Sequence, residues 1–188
     1  MIENILVRKN CGAKLKITVK SLVSASLIAL AVILPQLVHL AAGASGGAEW
    51  LPMYLPVLLG GCILGTVWGL GVGVLSPVAS FAITALFGNP MPAAARLPFM
   101  MAELATMAAI SGLFADRIAK NGWTAFAAVI LAFAAGRTLF MILALVFAPL
   151  TPFTPALVWS QIESGLLGMT LQCVLVPFAV MGLRKLSA

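Results

Sequence analysis

Three charged residues lie inside stretches that are otherwise apolar: Glu103, Arg137 and Glu163. An ionised side chain within lipid costs several kcal/mol unless it is paired or wetted, so such residues are candidate functional groups. An arginine can hold a carboxylate or a phosphate through two parallel hydrogen bonds. Two glutamates beside one arginine would instead leave a negative site, which suits an amine or a hydroxyl-rich ligand. Both ligand classes remain open from the sequence.

The sequence offers little support for catalytic or metal chemistry. His39 is the only histidine, no second histidine or cysteine lies at metal-ligand spacing, and we interpret it as an interfacial residue. We therefore predict neither a metal nor a cofactor. No Gly-Lys-Ser/Thr phosphate loop is present, and no Ser, His and Asp set indicates hydrolysis. Any ATP-driven function would need an ATPase on another protein.

The composition predicts an integral membrane protein. Hydrophobic residues make up 62% of the 188 residues and charged residues 9%, whereas a soluble domain carries roughly 25% charged residues. The mean hydropathy is +1.13. The formal net charge of +6 resides largely in short segments that flank apolar runs, which argues against nucleic acid as a partner. We expect one membrane domain surrounded by the lipid of the cell membrane.

A transmembrane helix needs about 20 mostly apolar residues. No charged residue lies between Glu49 and Arg96, so this stretch has room for two helices, with a turn expected at residues 65–68. The prediction is an all-α bundle of six transmembrane helices within residues 17–188, after a basic segment at residues 1–16. The predicted spans are residues 17–42, 51–65, 68–87, 97–114, 123–147 and 156–183.

Basic residues in short flanking segments orient the bundle, because these segments stay on the cytoplasmic side. With six spans, nine basic residues share one face, which predicts that both termini are cytoplasmic. Arg96 alone falls in a loop on the other side, and Arg137 falls inside a span. A cleaved signal peptide at the first run would leave five spans, which this pattern opposes. The nine residues are Arg8, Lys9, Lys14, Lys16, Lys20, Arg117, Lys120, Arg184 and Lys185.

The three charged residues within spans fall at similar predicted depths, about two or three helical turns from the external ends of spans four, five and six. This predicts one polar pocket that opens to the outside, and a purely structural ion cluster is the alternative. A ligand pocket also needs apolar walls and a few placed polar groups. The candidates for these walls are Trp50, Met53, Asn89, Trp159 and Gln161.

Two patterns of small residues indicate close helix packing. Glycine recurs every four residues at positions 61, 65, 69 and 73, and small surfaces let membrane helices approach closely. Ala25 and Ala29 form an Ala-x-x-x-Ala pair in the first span. This pair serves either internal packing or docking of another membrane protein.

Taken together, these features resemble the substrate-binding S components of the energy-coupling factor (ECF) transporters. The resemblance rests on the chain length, the six spans, the Ala25-x-x-x-Ala29 pair, the glycine-rich segment at residues 55–73, the Glu103-Leu-Ala-Thr stretch and Ser111-Gly-Leu.

The resemblance implies a non-enzymatic subunit that captures a vitamin or related micronutrient with high affinity from outside. A transmembrane coupling protein and two cytoplasmic ATPases would drive uptake, with Ala25 and Ala29 facing the coupling protein. The family's ligand site corresponds here to Glu103, Arg137 and Glu163, with residues around Trp50 and Asn89. The alternatives are a stand-alone secondary transporter or channel, and a membrane enzyme that uses the carboxylates as acid and base.

Overall fold

The computed structural model describes residues 12–149 and 151–187. Arg8, Lys9 and Cys11 of the predicted basic segment lie outside the described residues. The part of the chain that the structure describes contains seven α-helices, one 3-10 turn and no strand, so the all-α prediction is confirmed. The helices are α1 (Ala13–Trp50), α2 (Tyr54–Leu64), α3 (Thr66–Leu86), α4 (Leu97–Leu113), α5 (Ala115–Lys120), α6 (Thr124–Phe147) and α7 (Pro155–Ser187), with the 3-10 turn at Ala94–Arg96.

Four segments of these helices are long and apolar enough to cross a bilayer: Ala13–Gly43, Thr66–Leu86, Thr124–Phe147 and Pro155–Lys185. Two further helices coincide with predicted spans but are shorter. Helix α2 has 11 residues and α4 has 17, against the roughly 20 that a lipid-exposed crossing needs.

Helix α2 lies at the centre of the bundle. Ten of its eleven residues are buried, and it packs against α1, α3, α4 and α7. Its sequence, Tyr-Leu-Pro-Val-Leu-Leu-Gly-Gly-Cys-Ile-Leu, is apolar on every side, as expected of a helix that touches protein all round. The neighbouring helices therefore shield α2 from lipid.

A sharp break at Gly65 separates α2 from α3, within the predicted turn at residues 65–68. Gly65 has φ 84° and ψ −179°, a backbone conformation that residues with a Cβ rarely adopt. Its N–H donates to the carbonyl of Gly61, and its own carbonyl accepts from the N–H of Gly69. The two helices consequently fold back on each other as a hairpin.

The repeated glycines bring helix backbones into contact, which confirms the predicted tight packing. A Cβ on Gly73 would lie 2.7 Å from the carbonyl oxygen of Leu104, and one on Gly69 would lie 2.9 Å from the Cα of Gly61. A Cβ on Gly61 would lie 2.6 Å from the carbonyl oxygen of Ala108. Helices α2, α3 and α4 thus share a seam of close backbone contacts, in which the Ser111 side chain of α4 also lies against Gly61.

Two segments between predicted spans are helical in the structure. Helix α1 breaks at Gly43, where φ is 70°, close to the predicted end of the first span, but helical structure then continues to Trp50. The segment between spans four and five forms the short helix α5. Asp116 in its first turn and Lys120 in its last have the charges that favour helix ends.

The glycine seam generates a prediction. Gly73→Ala adds a methyl group against the carbonyl of Leu104, so it should lower stability by roughly 1–3 kcal/mol through overpacking. Gly71→Ala is the matched control, since nothing lies within 4 Å of a Cβ at that position of the same helix. Thermal unfolding in detergent measures both variants. Equal midpoints would show that the seam tolerates a side chain.

Candidate ligand-binding site

A buried ion pair joins α6 to α4. Nη1 of Arg137 lies 3.0 Å from Oε1 of Glu103, and the two side chains are 7% and 1% exposed. The hydroxyl of Tyr54, at the start of α2, donates to Oε2 of Glu103 at 2.9 Å. The guanidinium carbon of Arg137 lies 5.2 Å from the centre of the Tyr54 ring. Three helices therefore meet at one arginine.

Neighbouring residues on α6 hold this group in place. Gly136 lets α6 approach α4, because a Cβ there would lie 2.6 Å from side-chain carbons of Met107. Phe133, one turn before Arg137, stacks on the ring of Tyr54 with centroids 6.1 Å apart. The tyrosine ring thus contacts both Phe133 and the guanidinium, and its hydroxyl bonds to the Glu103 carboxylate.

Arg137 retains hydrogen-bonding capacity beyond the ion pair. Its Nε and Nη2 atoms are buried and have no hydrogen-bond partner among the described residues. A guanidinium carries five N–H donors, and a buried donor without a partner costs about 1–3 kcal/mol. Arg137 also lines a cavity, so a ligand acceptor bound there would lie next to these donors, which neighbouring protein atoms enclose.

The cavity has a volume of about 330 Å³ and lies where α1 ends and α2 and α4 begin. Small-molecule sites span roughly 300–1,000 Å³, so a compact ligand fits. The formally charged side chains that line it, Arg96 and Arg137, are both positive. The lining residues are Pro35, His39, Gly47, Leu51, Pro52, Met53, Tyr54, Ser80, Met91, Pro92, Ala93, Arg96, Met100, Arg137 and Gln161.

Arg96 connects the start of α4 with the start of α7. Its Nη2 atom donates to Oε1 of Gln161 at 2.8 Å, and its guanidinium carbon lies 6.0 Å from the centre of the Phe140 ring. Phe140 packs with Phe99 and Phe153 in an aromatic cluster that links α4, α6 and the segment before α7. This aromatic cluster supports Phe140, which contacts Arg96.

The loop before α4 forms another wall of the cavity. Ser80 donates to the carbonyl of Met91 at 2.8 Å, and the N–H of Met91 donates to the hydroxyl of Thr84 at 2.7 Å. These bonds hold the loop against α3. Met53, Met91 and Met100 line the cavity, and methionine side chains adapt readily to ligand shape.

The structure brings together some of the predicted site residues. Arg137, Met53 and Gln161 line the cavity, and Glu103 lies directly behind Arg137. Glu163 and Trp159 are exposed on α7, where the indole N–H of Trp159 donates to Glu163 at 2.7 Å. Neither these two nor Trp50 lines the cavity. Asn89 lines a second cavity, of about 250 Å³, with residues of α1 and α3.

The lining residues that the sequence did not assign to the site include Tyr54, Arg96 and His39. Tyr54 is the only tyrosine in the chain, which is a weak signal in a long uncharged stretch. Arg96 is the exception to the basic-residue pattern. A lone arginine on the predicted external side, where the pocket was expected to open, could have indicated a site residue. His39 was interpreted as interfacial, and it lines the cavity.

These positions change the charge of the site. The sequence suggested two glutamates against one arginine, a negative balance. In the structure Arg96 lines the cavity, Glu163 does not, and Glu103 neutralises Arg137 from behind. Counting Arg96, Arg137 and Glu103 leaves a net positive site.

The helical bundle and its cavity define an integral membrane protein with room for a small molecule. The sequence model of one family, described as "ECF transporter, substrate-specific component", matches residues 20–183, so the chain belongs to that family. It is therefore a transporter subunit, not an enzyme, of a kind that binds a small-molecule substrate and works with an ECF module. No curated protein and no solved structure matches the chain significantly.

The ion pair generates a stability prediction. Glu103→Gln leaves the buried Arg137 without its counter-charge, and breaking such a pair costs about 3–5 kcal/mol. Tyr54→Phe removes one hydrogen bond to the carboxylate and should cost about 1.5–3 kcal/mol. Glu163→Gln makes the same chemical change at an exposed position and serves as the control. Thermal unfolding should rank Glu103→Gln as the least stable, and equal midpoints for the two glutamate variants would contradict this.

Proposed function

We propose that the chain is the high-affinity specificity subunit of an ECF-type importer and captures a small anionic micronutrient in the 330 Å³ cavity. The observation that carries the proposal is the unpaired donor set of buried Arg137 at the cavity wall. A carboxylate or phosphate accepts two parallel hydrogen bonds from a guanidinium. The acidic group of the ligand would bind there and accept hydrogen bonds from the Arg137 donors that have no partner among the described residues.

The electrostatics of the cavity favour this ligand class over a cationic one. Glu103 already accepts from Tyr54 and pairs with Arg137, so it is not available to hold an amine. Arg96 adds a second cation at the wall, and its bond to Gln161 leaves other guanidinium donors for a ligand. Charge attraction is stronger inside a low-dielectric bundle than in water. The apolar prolines and methionines would hold the uncharged part of a vitamin-sized molecule.

We further propose that the bundle crosses the cell membrane six times with both termini in the cytoplasm. Helices α2 and α4 are short, but α2 is enclosed by longer helices and has no need to span the full lipid thickness. The described basic residues Lys14, Lys16, Arg117 and Lys185 lie at helix ends away from the cavity. Since basic flanks stay inside, the cavity opens to the outside.

The exposed small-residue face of α1 supports docking to the coupling protein. Ala25, Ser26 and Ala29 are exposed, and small side chains allow a partner helix to approach closely. In this proposal the coupling protein binds α1 while two cytoplasmic ATPases supply the energy for uptake. Neither Ala25 nor Ala29 lines the cavity, so binding and coupling can be tested separately.

Mass spectrometry of small molecules that co-purify with the protein should identify the ligand, and it should carry a carboxylate or phosphate group. Arg137→Lys keeps the charge beside Glu103 but loses the planar fork, so affinity for the identified molecule should fall about 10- to 100-fold in calorimetry. Arg117→Lys, in α5, is the matched control and should bind as the wild type does. A retained molecule without an acidic group would contradict the proposal, as would unchanged affinity of Arg137→Lys.

Ala29→Trp should abolish uptake in cells while the purified variant binds the ligand normally, because the bulky ring blocks docking at a residue that does not line the cavity. Ala134→Trp places the same ring on an exposed position of α6 and should preserve uptake. Radiolabelled ligand uptake and calorimetry measure the two properties. Undiminished uptake by Ala29→Trp, or uptake in cells without the ATPases, would favour a stand-alone transporter.

A further inference from the structure

Residues 43–53, here called the closing segment, form one wall of the cavity. The segment starts at the break in α1 at Gly43, runs as helix to Trp50, and turns at Leu51, which has a left-handed backbone with φ 48° and ψ 49°. Gly47, Leu51, Pro52 and Met53 of this segment line the cavity. The break at its start and the turn at its end make it a separate structural unit.

A single glutamine of α7 binds the end of this segment. Nε2 of Gln172 donates to the carbonyl of Leu51 at 2.7 Å and to that of Trp50 at 3.0 Å. The last carbonyls of a helix have no partner within it, and a buried one without a partner is costly in an apolar bundle. Gln172, which is 2% exposed, thus caps the C-terminal end of α1 from another helix, and the Leu51 carbonyl also accepts from the N–H of Tyr54 at 3.0 Å.

The helical turn before Gln172 shows how closely α7 approaches the segment. A Cβ on Gly168 would contact the carbonyl oxygen of Glu49 and lie 2.7 Å from the carbonyl carbon of Trp50. Gly168 and Gln172 are four residues apart and so share one face of α7. The segment therefore rests on a glycine and is held by an amide at the next turn.

Gln172 is connected to the cavity wall through this contact. It does not line the cavity, whereas Leu51, whose carbonyl it binds, does. Its own Oε1 atom has no hydrogen-bond partner within the described part of the chain, so its two N–H groups make its polar contacts there. An amide kept inside an apolar helix for these two bonds indicates a role in positioning the cavity wall.

We propose that Gln172 is a positioning residue that holds the closing segment over the cavity and thereby slows ligand exchange. The proposal rests on the proposed function only in taking the cavity as the ligand site. Without the two hydrogen bonds, the segment hinges between Gly43 and Leu51 and opens the wall. The rest of the bundle, held by the glycine seam and the ion pair, stays in place.

Hydrogen–deuterium exchange on the ligand-free, full-length protein in lipid nanodiscs tests the positioning role directly. Gln172→Met keeps the side-chain length and removes both donors, so exchange of amides in the closing segment should rise about tenfold or more, with α4 and α6 unchanged. Gln36→Met is the matched control, because Nε2 of Gln36 has no hydrogen-bond partner among the described residues. It should leave the segment's exchange as in the wild type.

Unchanged hydrogen–deuterium exchange in the closing segment of Gln172→Met, or an equal rise of this exchange throughout the bundle, would overturn the proposal. If Gln172→Met does not fold, Gly168→Ala displaces the same backbone and should give the same local rise. Dissociation of the molecule that co-purifies with the wild type should be about tenfold faster from Gln172→Met. An unchanged rate would overturn the link to ligand exchange. Since the exchange experiment needs no ligand, its failure is distinct from failure of the proposed function.

Discussion

A guanidinium kept inside an apolar bundle needs a counter-charge, and this need organises the centre of the molecule. Arg137 of α6 meets Glu103 of α4, and Tyr54 of α2 positions the carboxylate with one hydrogen bond. Each of these side chains is almost fully buried. The helices must therefore approach closely enough for short polar contacts, which explains the glycines on α2, α3 and α6. The Arg137 nitrogens that do not pair with Glu103 then leave hydrogen-bond donors without a partner beside the cavity.

Much of the fold was predictable because its determinants are local. Length and apolarity define the long helices, and a glycine at residue 65 is the residue best able to adopt the backbone angles of the break. The glycine repeat predicted backbone contact for the same reason. The continuation of α1 beyond Gly43 was not predictable from apolarity, since a stretch of small residues there fits a loop and a helix equally well.

The site was less predictable because it depends on which face of each helix turns inward. The cost of buried charge placed Glu103 and Arg137 at a common depth, and the two side chains meet. Glu163 lies at a similar predicted depth, but α7 is apolar around most of its circumference, so the sequence does not define its inner face. The contacts of Arg96 with Gln161 and of Gln172 with Leu51 join positions 65 and 121 residues apart. Such pairs follow from tertiary packing, which spacing alone does not encode.

The shortness of α2 has a consequence for the depth of the cavity. At 1.5 Å per residue, its 11 residues measure about 16 Å, roughly half the hydrocarbon thickness of a bilayer. Tyr54, the first residue of this central helix, lines the cavity, so the cavity lies at the amino end of α2. The amino end of α2, where the peptide dipoles sum to a partial positive charge, faces this space. A short central helix thus leaves space inside the bundle and directs its positively polarised end toward that space.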